Sequence, residues 1–498
     1  MFVDANEVED GAAFQSDVCL IGAGAAGITL ALALAERGLD VSLVESGGFT
    51  PDPRTQSLTA GVTAGIDYPL TYSRLRYFGG STNHWGGLCR ALDDSDFAPR
   101  AWVEESGWPI ARRELDPYYP KALRLVDIAV PHGSTFADLE RPSERYPRLL
   151  GNGNSHFTSL LWLRSPPTRF GAKFRTEISE SERIRCVLRA NALEFSCVES
   201  GALVTGVKAR TLTGRALSFA ARCYVLCTGG IENARLLLLS DRVVAGGIGN
   251  QHDVVGRYFQ EHLGLLSITM VVALPEGCRG IQEEYALRRS ADQPGIGRMF
   301  GFTTTAQLRE RHRLAAFSLN GLYELPAEKT PPDPIEELLP GSAAGRRLRW
   351  YQMMAIGEQS PNVQSRVFLS QERDLLGQRK AVLQWKVREQ DERNVRESLN
   401  LFAAELVKNG RGRLRVRGLE EFPVVTGLAG HHMGTTRMAD DPKRGVTDRN
   451  AKVHGVANLY IAGSSLFPTS GYANPTLTIL ALALRLADHL ATTVSKGG

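Results

Sequence analysis

Two of the ten histidines in this 498-residue chain stand side by side, His431 and His432, in "HHMGTTRM". An imidazole titrates near neutrality, so a histidine ahead of a Gly-Thr turn can take or give a proton; paired histidines also occur in metal sites. Adjacent side chains diverge, and no carboxylate or cysteine cluster accompanies the pair, so no metal is expected. A turn with two structural histidines stays open beside the chemical reading. A second polar group, Asn474, lies in "GYANPTLT", directly before the apolar run "LTILALALRLADHL". Asn followed by Pro is also how a helix starts, with Asn as cap and Pro at the first helical position. On residues alone, the cap is the stronger reading of Asn474.

The elements that would position such groups begin near the N-terminus. "SDVCLIGAGAAGITLALALAERGLDVSLVESGG" carries Gly22, Gly24 and Gly27 in G-x-G-x-x-G spacing. "VCLI" before it reads as a buried strand, "AAGITLALALAERG" after it as an apolar helix stopped at Gly38, and "VSLVE" as a second strand ending in Glu45. Gly22 makes the tight turn, Gly24 lets backbone approach a pyrophosphate, and Gly27 lets helix and strand pack closely. The helix N-terminus offers N–H groups to phosphates, and Glu45 would accept hydrogen bonds from an adenosine ribose. An acid there disfavours a 2′-phosphate, so NAD or FAD is expected over NADP. Further on, "ARCYVLCTGGIENARLLLLS" reads as strand, Gly229-Gly230 turn and helix, preceded by short alternating strands. That return through a β-meander is more similar to FAD-binding flavoproteins than to NAD dehydrogenases.

Composition narrows the class. An apolar share of 43% and a charged share of 22% fit a soluble globular chain, and a net charge of +4 without a basic block gives no support to nucleic-acid binding. The longest apolar segment, Leu477 to Leu490, is interrupted by Arg485, Asp488 and His489, which makes it a core helix and no membrane span. "MFVDANEVEDGAAFQSD" lacks the basic and apolar regions of a secretory signal. Seven scattered cysteines imply no disulfide framework, so a reducing, cytoplasmic location is expected. Cys223 and Cys227 are expected as packing residues on one face of a buried strand.

Four blocks carry a family resemblance: the fingerprint, "GGSTNHWGG" (Gly79 to Gly87), "NQHDVVGRYFQEH" (Asn250 to His262), and the stretch from His431 to Leu490. Together they resemble the glucose-methanol-choline (GMC) oxidoreductases, and "STNHW" and "GYANPTLT" are most similar to the pyranose oxidase and bacterial glycoside 3-oxidase branch. The resemblance implies an α/β (α+β overall) fold. A Rossmann-like FAD domain with a β-meander would comprise residues 1–96, 191–262 and 429–498. A substrate domain on a mainly antiparallel sheet with flanking helices would take 97–190 and 263–428.

It implies that His431 is the catalytic base and Asn474 the second catalytic group, with hydride passing to flavin N5. It implies FAD contacts from Gly22, Gly24, Ala25, Ala26, Gly27, Glu45 and Ser46, from Gly80, Ser81, Asn83, His84, Trp85 and Gly86, and from Gly463, Asn474, Pro475 and Thr476. "STNHW" has one residue more than the pattern that attaches flavin covalently through His, so noncovalent FAD is expected. His432 is expected to pack beneath the flavin. Arg257 and His262 are read as structural. The expected substrate is a sugar or glycoside, oxidised at a secondary hydroxyl of a pyranose such as that at C3, with O2 or a quinone-type acceptor and a monomer or small homo-oligomer as the working state. A non-sugar alcohol of secondary metabolism is the alternative. A flavin-binding electron-transfer or scaffold subunit is disfavoured by the presence of both His431 and Asn474, and an NAD(P)H-using reductase by the lack of a second fingerprint.

On the substrate side, "SPPTRFGAKFRTE" and "LLPGSAAGRRLRWYQMMAIGEQSPNVQSRVFLS" are expected to supply the substrate sheet and a mobile loop. A Pro/Gly-rich stretch from Leu325 to Gly345 is expected as a gating loop. Gln359 and Asn362 are candidate sugar contacts, although exposure to water explains their polarity equally well.

Overall fold

The computed structural model describes residues 1–130, 138–139, 156–275, 297–326, 346–417 and 430–496. Strand Ala12–Ile21 leads into the Gly22 turn and helix Ala25–Ala35; strand Val41–Val44 follows and pairs parallel with Ala12–Ile21. All four residues of Val41–Val44 are buried, as they must be in a parallel strand covered on both faces. The eight-stranded sheet runs Phe2–Asp4, Ile184–Leu188, Val41–Val44, Ala12–Ile21, Ala216–Leu226, Val204–Arg210, Asn191–Cys197, with Leu459–Ile461 parallel beside Ala216–Leu226. The last three strands of that path form the antiparallel meander, and their alternating burial fits strands with one wet face. The architecture is α/β with a Rossmann-like nucleotide half.

A second, seven-stranded antiparallel sheet runs Gly412–Val416, Leu263–Pro275, Arg346–Gly357, Phe317–Glu324, Gly297–Thr304, Phe157–Arg164, Leu88–Cys89. Helix Glu389–Lys408 packs on it through Val395, Leu399, Phe402 and Leu406, which recur at helical spacing and are all buried. A small third sheet joins Arg366–Arg373, Arg379–Trp385 and Val62–Gly65.

Helix Thr476–Lys496 has the length and apolar composition to cross a bilayer. Its Leu477, Leu480, Ala481, Leu484, Ala487 and Leu490 are nevertheless buried in the protein core, against helices Ala25–Ala35 and Tyr119–Leu125. Burying each leucine is worth about 1.5–3 kcal/mol, enough to explain the apolar run without lipid.

Three expectations need correction. Residues Ile184–Leu188, assigned with the substrate half, lie between Phe2–Asp4 and Val41–Val44 in the nucleotide sheet. The chain leaves that sheet after Val44 and returns only at Ile184, so the strand beside Val41–Val44 is far from it in sequence. "SPPTRFGAKFRTE" contributes no strand. It forms short helices Phe170–Lys173 and Arg175–Glu180, and Arg169 Nη1 donates to the carbonyls of Thr82 and Trp85 (2.9 Å each), bracing the Gly79–Gly87 loop. Gln359 and Asn362 are buried and occupied: Gln359 Oε1 accepts from Trp385 Nε1 (2.9 Å) and the Glu261 amide (3.1 Å), and both side chains donate to the Lys386 carbonyl. Most of the expected gating loop lies outside the described residues.

Cys223 and Cys227 are buried packing residues, and burial pushes the Cys223 thiol up to about 11.

Candidate active site

A cavity of about 690 Å³ runs from the fingerprint turn at the carboxyl end of Ala12–Ile21 to His431, within the range of small-molecule sites. Its wall includes Gly22, Gly24, Ala25, Ala26, Glu45, Ser46, Gly80, Ser81, His84, Trp85, Gly86, Gly463, Asn474, Pro475 and Thr476. Two expected contacts are not on it. Gly27 faces the Gly22 carbonyl, where an added Cβ would lie 1.9 Å from the oxygen; its work is helix–strand packing. Asn83 turns back, its Nδ2 donating to the Phe78 carbonyl (3.0 Å).

The cavity fits FAD. An added Cβ at Gly24, Gly86, Gly229 or Gly463 would meet no protein atom within 4 Å, so at four wall positions the backbone is bare toward the space. Helix Ala25–Ala35 has Gly24 as cap, no side chain capping it and no acid in its first turn, leaving its N-terminal amides for phosphate. Glu45 is 5% exposed and accepts from the Ala23 and Gly47 amides (2.9 Å each), which aims a fixed carboxylate at the place for a ribose. His84 also faces the cavity, and burial, then Arg169, lowers its pKa.

At the far end Asn474 Nδ2 lies 3.2 Å from His431 Nε2. The amide is not a helix cap. The helix starts at Thr476, the Ile479 amide bonds the Pro475 carbonyl, and Asn474 Oδ1 is buried with no partner. The imidazole took the amide that the sequence offered to the helix. The preceding loop is held by distant parts of the chain: Trp108 Nε1 donates to Thr469 Oγ1 (2.9 Å), Tyr472 OH to Asp93 (2.6 Å) and the Gly471 amide to Glu358 (3.3 Å). Glu358 is fully buried and forms a two-pronged ion pair with Arg100 (2.6 and 2.7 Å).

Sequence reasoning missed His262. Its Nδ1 meets His431 Nδ1 at 2.9 Å, and the rings cross edge to face at 84°. The neighbouring Glu261, 1% exposed, accepts from the amides of His262 (2.8 Å) and His431 (2.9 Å) and from Tyr68 OH (2.5 Å). His432 also lines the cavity, and its Nε2 is tied to that same hydroxyl at 3.0 Å. The signal available was the pair Glu261-His262 directly ahead of a long apolar strand, a place where two ionisable groups need a reason.

Burial pushes the Glu261 carboxyl up to about 7 and the imidazoles of His262 and His432 down to about 4 and about 3. His431 falls well below 6.5, from burial first and then from repulsion by His262 and His432. A base must be unprotonated to act, and a lowered pKa keeps it so into mild acid. The rate constant for flavin reduction is therefore expected to stay level down through pH 6.5 and fall only well below it. A stopped-flow profile with its acid limb at or above pH 6.5 would contradict this.

Residues 361–483 match the family described as GMC oxidoreductase, and residues 17–246 the one described as FAD dependent oxidoreductase. The 6'''-hydroxyparomomycin C oxidase of Streptomyces lividus is 29% identical, over 95% of this chain and 92% of its own. The 2-methyl-1,2-propanediol dehydrogenase of Mycolicibacterium austroafricanum is 24% identical over 96% and 95%. A C-glycoside 3-oxidase of Microbacterium trichothecenolyticum is 36% identical, over only 18% of each chain, so the glycoside branch rests on a partial match. Among solved structures, formate oxidase superposes with a TM-score of 0.61 at 17% identity, over 98% of this chain and all of that one. Fingerprint, cavity, imidazole–amide pair and family matches agree on a GMC-type FAD oxidoreductase that acts on alcohol groups.

Proposed function

We propose that the protein oxidises a hydroxyl of a neutral sugar or glycoside, a secondary hydroxyl of a pyranose with C3 as the position, to the ketone. The observation that carries this is the His431–Asn474 pair at 3.2 Å, opening on a cavity that also reaches Gly264, Leu266, Met354 and Ile356 of the antiparallel sheet. His431 takes the hydroxyl proton at Nε2, and Asn474 holds the same oxygen through its amide. Bound FAD, held noncovalently in this reading, supplies the two-electron acceptor for the hydride leaving the carbinol carbon. O2 or a quinone-type acceptor then removes the electrons.

The antiparallel-sheet residues on the cavity wall, among the described residues, are Gly264, Leu266, Met354 and Ile356, all uncharged. Such a wall suits the apolar face of a sugar ring. It provides no carboxylate for the ammonium groups of an aminoglycoside, the substrate type named for the full-length Streptomyces relative. The position C3 follows the name of the partial relative. The reading takes the protein as a monomer or small oligomer in a reducing, cytoplasmic setting, and the six described cysteines, all unpaired, support that setting.

A second reading, a non-sugar alcohol, is favoured by the same uncharged wall and by the full-length diol dehydrogenase. Anaerobic mixing with glucose, a C-linked glucoside, an aminoglycoside and a small diol separates them. Bleaching of the visible flavin band by the glucoside supports the proposal. Bleaching by the diol alone, or by the aminoglycoside alone, replaces it.

A further inference from the structure

We propose that His262 is a positioning residue that locks His431 in the tautomer able to accept a proton from the alcohol. The inference rests on His431 being the base, as proposed above, and concerns how the fold prepares it.

A neutral imidazole has one N–H and one lone pair, so a chain of imidazoles can be read from whichever end is fixed. The fixed end here is a carbonyl. His262 Nε2 faces the Ser470 carbonyl oxygen at 3.4 Å inside the protein, and a carbonyl only accepts. The proton of His262 therefore sits on Nε2, which leaves its Nδ1 as a lone pair. That lone pair faces His431 Nδ1 at 2.9 Å, so His431 must donate from Nδ1. Its Nε2 is then the lone pair, on the side of Asn474 and the cavity. The Asn474 amide at 3.2 Å agrees, because an NH2 group can only donate to it.

The reverse arrangement fails at one point. If Nε2 of His431 carried the proton and Asn474 were turned to accept it, Nδ1 of His262 would have to donate. His262 would then present a second lone pair to the Ser470 carbonyl, in a place that excludes water. Glu261 cannot replace His262 in this role. Its Oε1 lies 3.9 Å from His431 Nδ1, outside hydrogen-bond reach, and its oxygens are already engaged by two amides and Tyr68. Glu261 instead fixes both backbones, so that the two rings meet edge to face. Burial keeps His262 neutral in mild acid, so its Nδ1 lone pair persists there.

The test begins without substrate. Two-bond proton–nitrogen correlation spectra of holoenzyme with ring-labelled histidine distinguish N–H from lone-pair nitrogens, and His431→Gln identifies the His431 signals. The expected spectrum has His431 protonated at Nδ1 and bare at Nε2. A proton on Nε2 overturns the proposal whatever the enzyme oxidises. In His262→Phe, which keeps a flat ring but offers no acceptor, the Nε2–H form of His431 should appear. The limiting rate of flavin reduction should fall about 100-fold with KM little changed. His262→Asn, whose Oδ1 can accept near the place of Nδ1, should recover most of that rate and restore the Nδ1–H form. Two variants equally slow, with the wild-type tautomer kept, would mean a packing role and refute the proposal. Should His262→Phe fail to fold, the wild-type and His262→Asn spectra still decide. Failure of the base assignment itself shows elsewhere, as undiminished flavin reduction in His431→Ala.

Discussion

His431→Ala is expected to purify with FAD bound and to lose about 10²- to 10⁴-fold in the rate constant for flavin reduction by alcohol, the usual contribution of a positioned general base. The cofactor should stay because the fingerprint turn, Glu45 and the bare glycines hold it from other elements. The rate should fall because nothing else can take the proton. Asn474 is an amide, and His432 is tied to Tyr68. His262 keeps its Nδ1 lone pair but lies behind the missing ring, beyond reach of a hydroxyl held at the place of His431 Nε2, and Glu261 is closed over by two amides and a phenol. Stopped-flow reduction under nitrogen, with flavin content measured on the same sample, checks both halves. A rate within about threefold of wild type would remove His431 from the chemistry.

The second large effect is expected at the other end of the cavity. Gly27→Ala would put a methyl group 1.9 Å from the Gly22 carbonyl oxygen, a backbone atom of the very turn that must approach the pyrophosphate. Either the helix leaves the strand or the turn opens, and overpacking of this kind costs about 1–3 kcal/mol or more. The expected product has little flavin and a lowered melting temperature. Gly24→Ala is the informative contrast, since its methyl group would meet no protein atom within 4 Å. That variant should melt like wild-type apoprotein and still bind FAD weakly, because the methyl group occupies space that the cofactor needs. The ratio of flavin to protein, with melting curves of apo and holo forms, separates the two. Full flavin occupancy in Gly27→Ala would show that the close approach is not required.

The nucleotide half was legible because its signals are local. Turn, helix, strand and acid follow one another within a single crossover, and each is the consequence of a residue type at a fixed spacing. His431 was legible through the glycine three positions on and the family pattern around it. His262 was not, because 169 positions separate it from His431, and a histidine that meets another across a bridge has no spacing to betray it. The strand Ile184–Leu188 was misassigned for the same reason, since its partner Val41–Val44 belongs to a distant part of the chain. Asn474 shows a different limit. Asn-Pro before an apolar run satisfies every local rule for a helix cap, and only tertiary packing brings the imidazole that claims the amide. Gln359 and Asn362, read as possible sugar contacts, turned out to be internal ties, because polarity alone does not say which way a side chain faces.

Gln260 and Met433 exchange two backbone hydrogen bonds of 3.0 Å, and His262 follows two residues later, immediately before strand Leu263–Pro275. A long strand of the antiparallel sheet thus grows directly out of the imidazole pair. For anyone recombining this enzyme with a relative to change what it accepts, that sets the crossover point. An insert running from before Gln260 to before His431 would import a foreign partner for His431 together with five new strands of that sheet, whereas an insert starting after Leu263 exchanges those strands and leaves the bridged pair native.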